Sequence, residues 1–156
     1  MRILLIHAGD FRENYFREMQ KEYEKRLCAF CDFKCVCVKE ENCDGSDAQI
    51  KKALEKEGEK ILSLIPKGAF VCAMCVEGRQ LSSEEFAKKI EEVKNSSADA
   101  VFIIGSSCGL ADSVKSRANL KLSVSKMTLP HRLARVLLTE QIYRAFMIAN
   151  HRKYHK

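Results

Sequence analysis

Ala98-Asp99-Ala100-Val101-Phe102-Ile103-Ile104-Gly105-Ser106-Ser107-Cys108-Gly109-Leu110 is the stretch on which the reading of this chain turns. A short, nearly continuous apolar run that ends at glycine reads as a strand buried on both faces. Such a strand belongs to a sheet covered by helices on either side. Glycines directly after it let the backbone turn sharply or pass close to a ligand. A plain turn satisfies Gly-x-x-x-Gly equally well, so these residues alone leave both readings open.

Outward from this strand, strand-like and helix-like segments alternate. Arg2 to His7 reads as a short strand closed by Gly9. Phe11, Tyr15, Met19, Tyr23 and Leu27 recur every four residues and predict an amphipathic helix. Phe33 to Val38 is a second strand, and Asn42 to Ser46 a polar break. A helix from about Asp47 to Leu64 follows, with Ile50, Leu54, Ile61 and Leu62 inward, and stops before Pro66. Ala69 to Val76 is a third strand, followed by a turn at Gly78. Ser82 and Glu85 have capping-box spacing, with Leu81 and Phe86 placed as a hydrophobic staple. Beyond Leu110 come a short irregular or helical piece, a strand near Leu120 to Val124, and a helix from about Pro130 to Ala149. The alternation predicts one α/β domain over residues 1–156, with a mostly parallel sheet and helices on both faces.

The last helix is apolar nearly all round: Leu137, Leu138, Ile142, Ala145, Phe146, Met147 and Ile148 leave no clean polar face. A helix of that kind must be covered on every side. A second copy of the chain is the expected cover, which predicts a homodimer.

Composition narrows the class. Hydrophobic residues make up 46% and charged residues 31%, which excludes a disordered chain. Lys and Arg outnumber Asp and Glu 27 to 21, a formal +6. That excess permits a polyanionic partner, and a solvated basic surface accounts for it equally well. No run approaches the roughly 20 apolar residues of a membrane helix, and the opening run is broken by His7. A cytoplasmic protein without a membrane partner is expected. Cys28-x-x-Cys31 and Cys72-x-x-Cys75 have zinc-compatible gaps, but neither gap holds a turn residue. Residues three apart on a strand point to opposite faces, so Cys72 and Cys75 diverge. All eight cysteines are expected as free thiols, and no metal is expected.

Ligands of open α/β sheets bind at the carboxyl ends of the strands. The Gly105 to Gly109 loop is one such end, and Leu122 to His131 is another. His131 falls in a first helical turn, where the helix dipole favours the neutral imidazole. The tail Asn150-His151-Arg152-Lys153-Tyr154-His155-Lys156 mixes cations with an aromatic ring, suited to phosphate and base contacts or simply to a frayed end.

Together, Ser123-Val124-Ser125-Lys126-Met127-Thr128-Leu129-Pro130-His131, Arg135-Val136-Leu137-Leu138-Thr139-Glu140-Gln141-Ile142-Tyr143-Arg144-Ala145 and the terminal Tyr154-His155 closely resemble the RlmH family. These are small bacterial methyltransferases of the trefoil-knotted SPOUT superfamily. Glu22 to Leu27, Lys56-Glu57-Gly58, Gly78 and Ile104-Gly105-x-x-x-Gly109-Leu110 fall in register, so the likeness spans the chain. The resemblance implies a C-terminal trefoil knot and a homodimer. It also implies methylation at N3 of a pseudouridine in 23S ribosomal RNA, within the large subunit or assembled ribosome. S-adenosyl-L-methionine would be held by Met74, Gly105, Gly109, Val124, Ser125, Lys126, Met127, Thr128 and Leu129. His131, Tyr154 and His155 would orient the base and handle its proton, with Arg135, Glu140 and Arg144 positioning substrate or a partner helix. Two residues depart from the family pattern: Ser106 stands where a second glycine is usual, and Cys108 replaces a polar residue. A positive φ at position 106 would strain the serine. A related knotted methyltransferase acting on another ribosomal or transfer RNA base, a non-catalytic RNA-binding relative, and a flavodoxin- or Rossmann-type nucleotide binder are the competing readings. The last lacks a Gly-x-Gly-x-x-Gly loop.

Overall fold

A computed structural model describes residues 1–97 and 99–154. Five strands, β1 (Arg2–Ala8), β2 (Asp32–Val38), β3 (Phe70–Gln80), β4 (Asp99–Ile104) and β5 (Leu120–Ser123), form one sheet in the order β2-β1-β4-β3-β5. Every pairing is parallel. The helices are α1 (Asn14–Leu27), α2 (Asp47–Ser63), α3 (Ser83–Ser96), α4 (Asp112–Arg117) and α5 (His131–Ala149).

The two-residue period of β4 assigns the layers. Ala100, Phe102 and Ile104 face a core built with α1, α3 and α5, while Val101 and Ile103 face a second core built with α2 and α4. Cys72 joins the first core and Cys75 the second, as strand geometry requires. The capping box forms as expected: the Glu85 amide donates to Ser82 Oγ at 3.2 Å and the Ser82 amide to Glu85 Oε2 at 2.8 Å.

Three expectations need correction. Of the expected stripe Phe11 and Leu27 are buried and Tyr23 is half-buried, but Tyr15 and Met19 are exposed, and α1 buries Gln20 as well. A four-residue repeat drifts about 40° per step on a helix of 3.6 residues per turn, so such a stripe cannot stay on one face. Residues 20 and 27, seven apart, do share a face, and Gln20 is satisfied by Thr139 Oγ1 at 3.0 Å. Next, β3 does not end at Gly78. It bulges between Met74 and Arg79, both of which pair with Leu122, and continues to Gln80. A Cβ at Gly78 would lie 2.7 Å from the Leu122 backbone, so glycine is what lets β3 and β5 close there. Finally, α5 has no exposed residue: α1 and α3 flank it and the sheet lies beneath. Its all-round apolarity is therefore largely met within one chain. Half-buried Leu133 and Leu137 and exposed Val124 and Met127 remain for any further cover.

Candidate functional site

The carboxyl ends of β3, β4 and β5 surround a cavity of about 570 Å³, a size usual for small-molecule sites. Met74 closes it from β3, Gly105 to Leu110 from the β4–α4 loop, and most of residues 122–131 from the β5–α5 connection. Gly105 has no room for a side chain, since a Cβ would run into the Gly109 carbonyl. Gly109 has φ +91°, and its amide donates to the Ser106 carbonyl at 3.0 Å, closing a tight turn. Ser106 does not have positive φ, so the feared strain is absent. Opposite this turn, two local bonds hold the β5–α5 loop: Ser123 Oγ donates to the Ser125 carbonyl at 2.8 Å, and the Met127 amide to Ser125 Oγ at 3.0 Å. Lys115 and Glu77, paired at 2.7 Å, stand at the wall, each holding the other in its charged form.

Met74, Gly105, Gly109, Val124, Ser125, Met127, Thr128, Leu129 and His131 thus come together around one cavity. Lys126 is exposed and not part of the lining. His131 begins α5 at the cavity; burial pushes its pKa down, with Glu40 opposing and Arg132 and Arg12 assisting. The imidazole is therefore held neutral, with burial as the leading cause.

Arg135 lies one turn further and faces β1 instead of the cavity. Its guanidinium rests 3.8 Å over the Phe11 ring and 3.6 Å from Asp10, and Nη1 is 3.0 Å from His7 Nδ1. His7 Nδ1 is also 2.7 Å from the Gly9 carbonyl. One nitrogen cannot donate to the carbonyl and accept from the guanidinium at once. The shorter contact assigns the proton to Nδ1. Burial first, then the Arg135 charge, pushes the His7 pKa down to about 4. Among the described residues, the buried side-chain polar atoms without a partner are His131 Nε2, Arg135 Nε and Glu13 Oε2. They belong to the β1–α1 connection and the first turns of α5, two segments tied by the Arg132–Glu13 pair at 3.7 Å.

The remaining expected residues lie elsewhere. Glu140 pairs with Arg144 at 2.7 Å and accepts from the Tyr154 hydroxyl at 3.2 Å. The Tyr154 ring stands edge-on to Tyr143 at 4.9 Å and under Arg144 at 4.7 Å. His151, at φ 51°, turns the tail back to make this possible. Glu140 is nine positions after His131, about 14 Å along α5, so one chain does not bring these groups together. His155 lies outside the described residues. Sequence reasoning missed His7 and Glu57, which are polar yet 3% and 2% exposed. His7 does carry a signal, because it occupies the inward phase of β1 after Ile3 and Leu5.

The cavity's glycine turn, buried imidazole and mixed apolar and backbone lining fit a small donor with a charged end. Residues 1–155 match the family described as "Predicted SPOUT methyltransferase". The chain is 45% identical over 159 residues to "Ribosomal RNA large subunit methyltransferase H" of Ligilactobacillus salivarius, covering 100% of both chains. It is 44% identical over 154 residues to the protein of the same name from Caldicellulosiruptor saccharolyticus, covering 99% of both. Among solved structures it is similar to a probable methylase family protein from Haemophilus influenzae, with a TM-score of 0.56 over 99% of this chain and 70% of that one. At 15% identity that likeness speaks to the fold alone. By fold and by sequence, then, this chain belongs to the SPOUT methyltransferase family.

Proposed function

We propose that this chain transfers a methyl group from S-adenosyl-L-methionine to N3 of a pseudouridine in 23S ribosomal RNA, within the large subunit or the assembled ribosome. It does so in the cytoplasm as a homodimer of single domains, each spanning residues 1–156 with a knotted C-terminal segment. The observation that carries this reading is the convergence of Met74, the Gly105–Gly109 turn and the Val124–Leu129 loop on one cavity, with His131 in its wall. The names of the full-length relatives supply the substrate class.

The donor carries an already activated methyl group. The chain's own task is to align it with a ring nitrogen, exclude water and deal with the imide proton. Gly105 and Gly109 let backbone amides reach the donor, while Met74, Leu122 and Met127 give apolar cover. His131, held neutral by burial in the cavity wall, orients the base or accepts its N3 proton. Arg135, which faces β1, keeps its buried positive charge on His7 and Asp10, one turn along α5 from His131. Within one chain Tyr154 is docked on Glu140, so a part for the tail in proton handling requires its delivery to a second copy's cavity. Val124 and Met127, exposed at the cavity rim, suit such an approach.

Labelled S-adenosyl-L-methionine incubated with intact ribosomes and with free ribosomal RNA tests the reading, followed by nucleoside mass spectrometry. Label in 3-methylpseudouridine from ribosomes is expected. Label in another nucleoside, or in transfer RNA, would point to a relative of different specificity, and donor binding without transfer to a non-catalytic one.

A further inference from the structure

The cavity crosses the carboxyl edge of the sheet from one helical layer to the other. His131 and Ala134 bound it from α5, which packs on the first core, and Lys115 from α4, which packs on the second. The proposed function places the target base at the His131 side. The rest of the donor therefore extends toward α4, where the wall changes character. Of the described residues that line the cavity, only Glu77 and Lys115 carry a charge, and they meet at 2.7 Å. An ion pair whose side chains are 57% and 25% exposed contributes little to stability, so folding does not require this one.

Glu77 reaches the wall through the irregularity in β3. On a regular strand successive side chains point to opposite faces, yet Cys75, Val76 and Glu77 all line the cavity. The bulge between Met74 and Arg79 makes this possible, and the close approach of Gly78 to the Leu122 backbone fixes it against β5. Val76, 59% exposed, thereby adds apolar surface to the wall next to the carboxylate. Lys115 Nζ donates to Glu77 Oε1, and a carboxylate with two oxygens has further acceptor sites to offer.

The donor has two polar ends. Its amino-acid end carries both signs, and binding it here would split the Lys115–Glu77 pair and set Val76 against charged groups. Its nucleoside end joins a flat base to a vicinal diol. That base can lie on Val76 while the hydroxyls donate to the carboxylate, with Lys115 still in place. Acidic side chains take ribose hydroxyls in the same way in dinucleotide-binding sheets. We propose that Glu77, held by Lys115, recognises the ribose hydroxyls of the methyl donor, which sets the nucleoside on the α4 side and the methyl group toward His131. The inference rests on the assignment of the cavity to that donor.

Calorimetry on the full chain tests this with three ligands. They are S-adenosyl-L-homocysteine (the donor without its methyl), its 2′,3′-dideoxy analogue, and 5′-deoxy-5′-methylthioadenosine, which lacks the amino-acid end. Glu77→Ala should raise the Kd of S-adenosyl-L-homocysteine about tenfold, the size of one charge-assisted hydrogen bond. A similar penalty is expected with methylthioadenosine, but less than about twofold with the dideoxy analogue, which has no hydroxyl to lose. Lys115→Met, which releases the carboxylate from its tether, should raise the Kd of the two hydroxyl-bearing ligands by a smaller factor. Equal penalties across all three ligands would make the pair a stretch of wall and overturn the proposal. Penalties confined to S-adenosyl-L-homocysteine and its dideoxy analogue would assign the pair to the amino-acid end and overturn it as well. If the wild-type protein binds none of the three, the donor reading of the cavity fails first and takes this one with it.

Discussion

The two ends of α5 are built on opposite terms. At its start, His131 Nε2 is buried without a partner in the cavity wall, and Arg135 Nε, one turn on and turned toward β1, is likewise unpartnered. Toward its end, Glu140, Tyr143, Arg144 and Tyr154 satisfy one another through an ion pair, a hydroxyl bond and two ring contacts. Buried polar groups are ordinarily paired, because leaving one unpaired costs about 1–3 kcal/mol. The unpaired end is thus the one arranged for something else to complete, and the paired end is complete within one chain. A residue's place in a family motif does not tell these two situations apart. Its partners do.

Substitutions at the two ends break or sharpen the contrast. His131→Ala should have the largest effect, lowering single-turnover methyl transfer by about 10²–10⁴-fold while donor Kd changes only a few-fold. Loss of donor binding with an unaltered chemical rate would make His131 a wall of the cavity and nothing more.

Next comes the buried imidazole under Arg135. The folded pKa of His7 is depressed from 6.5 to about 4, so its contribution is fully present above pH 6.5 and is lost as pH falls toward 4. It amounts to at most about 3 kcal/mol. Denaturant melts of wild type and His7→Asn across that window should show a shallower acid loss in the variant. Parallel pH profiles would mean that the histidine titrates alike in the folded and unfolded states, which contradicts its depressed pKa.

Gly109→Ala adds a side chain where nothing lies within 4 Å, so its cost is backbone strain alone, at φ +91°. About 1–2 kcal/mol is expected, a fall in Tm of roughly 2–8 °C, with weaker donor binding. The smallest effect belongs to the paired end. Tyr154→Phe removes the 3.2 Å bond to Glu140 and should cost about 1 kcal/mol or less in thermal melts. If methyl transfer falls far more than stability does, the tail acts in a second copy's site, and removal of residues 154–156 should reproduce the defect.

Much of this was readable from local signals. The apolar run ending at Gly105, the Ser82–Glu85 box and Pro130 before α5 each act over a few residues, and each formed where expected. The residues at the cavity were legible because a long motif occupies consecutive positions of one connection. Exposure of Tyr15 and Met19 was misread because a four-residue repeat drifts around the helix. The continuation of β3 through Gly78 was hidden because the reason for that glycine is the Leu122 backbone, distant in sequence. Glu57 and His7 were missed for a similar cause: a polar side chain is buried only when its partners, here the Glu41 amide and Arg135, arrive from elsewhere. The placing of Glu140 and Tyr154 apart from His131 follows from helix rise, which motif proximity conceals.

The account depends on the methyl donor occupying the cavity at the ends of β3, β4 and β5. The most direct measurement is a backbone amide NMR titration of the labelled protein with S-adenosyl-L-methionine. Saturable shifts should concentrate at Met74, Gly105 to Gly109 and Val124 to Leu129, with the Glu140 to Arg144 turn of α5 nearly silent. Saturable shifts clustered away from those segments, or none at all, would contradict it.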